Sequence, residues 1–416
     1  MIKKVHVDQL QPGMYVCDFN CGWLGHPFFV TRMMIKNEQQ IEKIRTHGIR
    51  ELYIDTERGI DLPEAPTVEE TKEEFTSAMQ EMVDAEAEAL PPPERLRPTS
   101  YREEFQQAKE VRNQARKVIS KVLDDIARGK SITTEMVYPV IDNMVESITR
   151  NRNTFISLTT VKKRDEYTYL HSINVGALLI AFARFLELPD DQVRQIGIGG
   201  IMHDIGKMRV PLHILNKPAR LTEPEYQDIK RHVEHGGKLL HELEGLSELT
   251  MQVAMQHHER HDGSGYPLGL SGDQISLGGQ LASIIDVYDA ITSERVYHQG
   301  MSPVQAVQKL YEWGKYHFRT DLVQKFISFI GIYPVGTLVQ LESRILGVVI
   351  ESNQLTPIVR IIFDAKSNKF IQPRDIDLSS DMGKFSKIRG YEDPLDWGID
   401  VGTVLSGDHH AHLINN

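Results

Sequence analysis

From Ile132 to about Ile330, apolar residues recur at helical spacing with little interruption, and the run predicts a mainly α-helical body. Ahead of it, Arg102 to Arg128 predicts one long helix. Ala108, Val111, Ala115, Val118, Val122 and Ile126 form its stripe, near-heptad at 108, 115 and 122. Such a stripe serves either a short coiled coil joining two copies of the chain or packing onto the chain's own body. The first 62 residues alternate in texture. Val5, Val7 and Leu10 lead into a Gln11-Pro12-Gly13 turn, Phe28-Phe29-Val30 reads as a strand, Glu38–Thr46 as a short helix and Glu51–Asp55 as a strand. After Gly331 the texture turns to β: Thr337–Leu341, Leu346–Glu351 and Ile358–Phe363 are β-rich runs between turn residues.

These patterns predict a small N-terminal α/β domain (1–62), a linker (63–101), connecting helices (102–150), a helical domain (151–333) and a β-rich C-terminal appendage (334–416). The linker assignment rests on charge. Between Glu64 and Glu94, ten carboxylates face one lysine, Lys72, and the stretch closes in Pro91-Pro92-Pro93, with room for one acidic helix.

The formal net charge of −11 argues against a nucleic-acid backbone as partner, so no DNA is expected. A small phosphate-bearing ligand stays open, because metals and a few cations can dominate one site. Cys17 and Cys21 read as ordinary thiols of a cytosolic protein. Lys3 and Lys4 have no apolar stretch behind them, and the best apolar run, Val175–Leu188, is broken by Arg184. The expectation is a cytoplasmic protein without membrane insertion.

Candidate chemistry concentrates in the helical region. His203-Asp204, His232, His257-His258 and Asp286 lie on stretches that otherwise read as buried helix. Imidazole and carboxylate are ligands for iron, manganese and zinc. Leaving so many polar groups buried without partners would cost several kcal/mol each, on the order of 2–7. More than one metal ion resolves that cost. Gly197, Gly199 and Gly200, unfavourable inside a helix, point to close packing before His203. Asp204 could bridge two ions while His203 caps one, and Lys207, one turn beyond His203, could meet a phosphate oxygen.

His203-Asp204, the Gly206-Lys207 that follows, and the run His257 to Pro267 with its Gly265-Tyr266-Pro267 resemble the HD-GYP family of bacterial cyclic-dinucleotide phosphodiesterases. This is a branch of the HD metal-dependent phosphohydrolases, and the likeness covers roughly Thr154 to Tyr333. The first sixty residues resemble a domain of unknown function that often precedes it. The resemblance implies an HD-type helical bundle. It also implies metal ligands at His171, His203, Asp204, His232, His257, His258 and Asp286, with catalytic roles for Asp204 and Lys207. Substrate contacts would come from Lys207, Arg295 and Tyr266. A third-metal glutamate of some relatives is matched here by Tyr167, preceded by Asp165 and Glu166, so two ions are expected. A further family cation is matched by His298.

The implied reaction is hydrolysis of cyclic di-GMP to pGpG, with further cutting to GMP open, in bacterial second-messenger signalling. Two divalent ions, iron or manganese in this mixed His/carboxylate sphere, would activate a water and clamp the scissile diester. Lys207 would neutralise its non-bridging oxygens. Gly263 and Gly265 are expected to supply positive φ, and Tyr266 to face the ligand or a protein partner. Alternatives are a phosphodiesterase for cyclic GMP–AMP, a hydrolase of another nucleotide, or a receptor that binds without turnover. His235 and His241 read as bystanders, His261 as packing or solvent-facing, Glu259 and Asp262 as loop-forming, Asp289 as a structural hydrogen-bond partner, and His409, His410 and His412 as tail residues.

Overall fold

The computed structural model describes residues 1–21, 32–89, 99–130, 132–160, 167–217, 219, 221–293, 300–352, 357–378 and 387–407. The strand expected at Phe28–Val30, Asp165 and Glu166, Arg295 with His298, and the tail histidines lie outside them.

The N-terminal unit is an antiparallel sheet of β1 (Ile2–His6), β2 (Tyr15–Asp18), β3 (Met33–Met34) and, after helix α1 (Glu38–Thr46), β4 (Glu51–Asp55). The strands lie in the order β1-β4-β2-β3. Asn37 starts α1 by accepting the Gln40 N–H at 3.1 Å, and Ile41 and Ile44 then pack against Val5, Val16, Leu52 and Ile54. The acidic stretch does carry a helix, α2 (Val68–Ala89), which buries Phe75 and Met79 in the main core.

Helix α3 (Tyr101–Ala127) begins in a Ser100/Glu103 capping box and continues to α4 (Tyr138–Arg150), α5 (Arg152–Thr160) and α6 (Tyr167–Phe185). Its stripe turns inward: Ala108, Ala115, Val122 and Ile126 are buried against those three helices. Glu104, fully buried, fixes this docking by accepting from Arg150 Nε at 2.8 Å and Ser147 Oγ at 2.7 Å. The face a homodimer through 102–128 would need is therefore occupied within the chain.

The remaining helices are α7 (Asp190–Met202), α8 (Leu212–Leu215), α9 (Glu223–Lys230), α10 (His232–His241), α11 (Glu248–Gln256), α12 (Leu277–Thr292), α13 (Pro303–Trp313) and α14 (Thr320–Ile330). The heart of the bundle is α7, packed between α6 and α11, with α12 against both of these. Gly197, Gly199 and Gly200 lie at these contacts, where a side chain would collide with Ile180, Val253 and Leu179. No helix among the described residues is long and apolar enough to cross a membrane.

The C-terminal appendage is an antiparallel sheet, order β8-β7-β6-β5-β9, followed by α15 (Val401–Ser406). Strands β5 (Leu338–Leu341), β6 (Ile345–Glu351) and β7 (Ile358–Asp364) match the β-rich runs of the sequence. The edge strands β8 (Lys369–Asp377) and β9 (Ile388–Tyr391) add to them. The N-terminal unit docks on α13, where Tyr53 Oη donates to Glu312 at 3.0 Å and Trp313 Nε1 donates to Asn20 O at 2.7 Å.

Candidate metal centre

Helix ends supply most of the site. His203 follows the last residue of α7, His257 follows the last residue of α11, and His232 stands two residues beyond the end of α9. The last-turn carbonyls of a helix have no intrahelical donor. Each of these histidines meets one of them through Nδ1: His203 with Gly200 O, His232 with Ile229 O and His257 with Ala254 O, all at 2.7 Å. A carbonyl only accepts, so Nδ1 carries the hydrogen and Nε2 turns inward. His171, on α6, obeys the same logic with a carboxylate: its Nδ1 lies 2.7 Å from Asp289 Oδ2, and Asn174 Nδ2 donates to Asp289 Oδ1 at 3.1 Å. Asp289 is thus the hydrogen-bond partner the sequence suggested.

The inward atoms converge on two carboxylates. Asp204 opens the tight turn after α7, and its two oxygens face different histidines. Oδ2 lies 3.2 Å from His203 Nε2 and 3.5 Å from His171 Nε2, whereas Oδ1 lies 3.4 Å from His232 Nε2 and 4.0 Å from His257 Nε2. Asp286, in the middle of α12, has Oδ1 3.1 Å from His171 Nε2 and Oδ2 3.8 Å from His258 Nδ1. The approach of Asp204 to His232 depends on Gly206, where a Cβ would stand 1.9 Å from the His232 carbonyl oxygen.

Three triads have ligand atoms within 4.8 Å of one another: His232/His257/His258, His171/His203/Asp286 and His203/Asp204/His257. His203 Nε2 and Asp204 Oδ1 are buried without a hydrogen-bond partner. His232 Nε2 and His257 Nε2 stand 3.4 Å apart. With metal–nitrogen bonds of about 2.0–2.1 Å, two ligands of one ion stand about 3.0–3.4 Å apart. The donor set therefore fits divalent cations.

The electrostatics agree. Burial holds the His232 imidazole down to about 4 despite the Asp204 charge, and burial likewise holds His257 and His258 well below the usual histidine range. For Asp204, burial opposes the charge, but its polar and cationic neighbours, Lys207 among them, outweigh it and keep the carboxyl well below its ordinary value. The depressed imidazoles of His232, His257 and His258 thus stand beside the ionised carboxylates of Asp204 and Asp286, the protonation state a metal requires of such ligands.

Around this cluster, Lys207 is half-buried and hydrogen-bonded to Asp204 Oδ2. The ring of Tyr266 lies over His258, centroids 4.6 Å apart. Its loop is pinned by Glu259, whose buried carboxylate accepts from Leu268 N at 2.8 Å and Leu270 N at 2.9 Å. Gly263 has the expected positive φ of +79°. Gly265 does not; it is required because a Cβ there would stand 2.4 Å from Arg260 N. His235 is half-buried and His241 exposed, and neither joins the cluster. Sequence reasoning missed Asn174, whose only signal was its place one turn after His171.

A buried His/Asp cluster with its His-Asp pair at a helix end, inside a helical bundle, defines an HD-type metal-dependent phosphohydrolase. Residues 135–321 match the family described as HD domain, and residues 2–137 match a domain of unknown function, DUF3391. The chain is 38% identical over 403 residues to a cyclic di-GMP phosphodiesterase of Pseudomonas aeruginosa, covering 96% of this chain and 94% of that protein. It is also 39% identical over 142 residues to a 3'3'-cGAMP-specific phosphodiesterase of Vibrio cholerae, 34% of this chain and 33% of that one. A cyclic di-GMP phosphodiesterase response regulator of Xanthomonas campestris is 34% identical over 174 residues, 41% of this chain and 46% of the regulator. The chain belongs to the HD-GYP family of HD-domain phosphodiesterases.

Proposed function

We infer that the chain is a metal-dependent phosphodiesterase that opens cyclic di-GMP to pGpG. The observation that carries this reading is Asp204, whose two carboxylate oxygens face two different sets of histidines at 3.2–4.0 Å. In this reading Asp204 would contribute an oxygen to each of two divalent-ion sites. His171, His203 and Asp286 complete one ligand set, and His232, His257 and His258 the other. Iron or manganese suits this mixture of imidazole and carboxylate better than magnesium, which prefers oxygen ligands and water. When bound, the ions supply an acidified water and positive charge at the phosphodiester.

The chain's own residues do the rest. Lys207, beside Asp204, is placed to neutralise a non-bridging phosphoryl oxygen as charge grows in the transition state. Tyr266 covers His258 and shields that side of the centre. Arg295 is assigned a phosphate contact by its place in the family motif alone. Just after Pro267, Leu268 is 68% exposed and offers an apolar group to a protein partner.

Full-length similarity to a cyclic di-GMP enzyme, against one third of the chain for the cGAMP-specific relative, favours cyclic di-GMP. The test is competitive turnover of cyclic di-GMP and 3'3'-cGAMP by the manganese-loaded chain, followed by chromatography. Preferential formation of pGpG is expected. Faster consumption of 3'3'-cGAMP would move the chain to the other substrate.

A further inference from the structure

We propose that Lys230 is a substrate-binding residue, the cation that meets the phosphodiester not held at the metal centre. This rests on the cyclic-dinucleotide reading above. Lys230 ends α9, two residues before His232. Its Nζ lies 4.9 Å from the Tyr266 ring centroid and 4.7 Å from that of Tyr226. Tyr266 in turn lies over the His258 ring. The ammonium is thus held between two aromatic faces, one ring away from the metal centre.

The lysine is half-buried, and no described carboxylate stands within ion-pair distance of it. Other cations around the site are engaged: Lys207 with Asp204, and Arg260 with the Glu259 carbonyl and the Phe318 ring. A cation–aromatic contact compensates desolvation of an ammonium only in part. In a chain of net charge −11, a half-buried ammonium that feels the Glu223 charge but makes no ion pair with a described carboxylate, beside a phosphodiester site, is suited to an anionic oxygen.

The substrate supplies that oxygen. A cyclic dinucleotide carries two phosphodiesters in one ring, so when one lies over Asp204 and Lys207 the other is presented to the surrounding wall with its charge intact. The uncleaved phosphate undergoes no change in charge during the reaction. A contact to it stabilises ground and transition states alike, and its loss raises KM more than it lowers kcat.

The test uses the full chain loaded with manganese, with Lys230→Met to remove the charge at similar length and Lys230→Arg to restore it. On cyclic di-GMP, Lys230→Met is expected to raise KM on the order of tenfold to a hundredfold, the range for a hydrogen bond to a charged group, and Lys230→Arg to recover part of it. Bis(p-nitrophenyl) phosphate, a diester with a single phosphate, should lose much less in kcat/KM. An unchanged KM for cyclic di-GMP, or equal losses on both diesters, would overturn the proposal; equal losses would mean that Lys230 merely holds Tyr266 and His258 in place. Wild-type chain that cleaves the single-phosphate diester yet neither cleaves nor binds cyclic di-GMP would overturn the substrate reading, and the role of Lys230 with it.

Discussion

His232 and His257 point their Nε2 atoms at one another across 3.4 Å, while each ring's Nδ1 donates to a helix-end carbonyl 2.7 Å away. With one hydrogen per neutral ring, two lone pairs face each other in a buried space, and a cation between them turns repulsion into ligation. Chelated protein titrated with manganese should therefore gain thermal stability and take up two ions per chain by elemental analysis. At a hundredfold excess over Kd the gain from each site is about 2.7 kcal/mol. His232→Ala should lower the uptake to one ion. Full uptake by that variant would remove His232 from the ligand set.

The same histidines make the metal-free chain acid-sensitive. Burial depresses the His232 value from 6.5 to about 4. Protons therefore bind the unfolded chain first, and stability is intact above 6.5, declines as pH falls from there, and loses this contribution fully below about 4. His257 and His258, depressed in the same direction, steepen the decline. Urea midpoints measured from pH 8 to pH 4 on chelated protein check this. A midpoint unchanged between pH 7 and pH 5 would contradict it.

Asp289, which also accepts from Asn174, orients His171 through the 2.7 Å contact to Nδ1. Asp289→Asn is expected to weaken metal affinity or activity about 10- to 100-fold, the usual cost of losing such an outer partner. Metal titration and turnover of the variant measure it, with circular dichroism as the check on folding. Affinity and turnover both within twofold of wild type would show that Asp289 is dispensable.

The N-terminal unit reaches the loop that carries Tyr266. Arg50 Nε lies 3.5 Å from Asp262 Oδ2, His317 Nδ1 meets the same oxygen at 3.5 Å, and a Cβ on Gly48 would stand 3.1 Å from Ser264. Arg50→Ala removes one half-exposed ion pair, worth about 0.2–1 kcal/mol. It should speed hydrogen exchange at the Leu268 and Leu270 amides and lower kcat/KM by no more than about fivefold. Unaltered exchange in that loop would mean that the contact transmits nothing.

Much of this was legible in the chain itself. Side chains that are costly to bury recur on apolar helical stretches, and that conflict between His203, Asp204 or Asp286 and their neighbours is what marks a metal site. The helix Glu38–Thr46 and the strand Glu51–Asp55 were equally plain, because caps and apolar spacing agree there. Strands β8 and β9 were not: as sheet edges they are largely exposed and polar, and Pro373 interrupts β8. The stripe on α3 left two partners open, since a buried face looks the same whether a second copy or the chain's own helices cover it. Lys230 and Arg50 acquire meaning only from neighbours distant in sequence, Tyr266 and Asp262.

The most direct measurement is anaerobic turnover of cyclic di-GMP, followed by chromatography, on protein reconstituted with Fe(II) or Mn(II) beside the chelated protein and Asp204→Ala. Formation of pGpG by the metal-loaded wild type, and by neither of the others, is the expected result. Turnover that survives chelation or the loss of Asp204, or its absence with two ions bound, would contradict a metal centre built around Asp204.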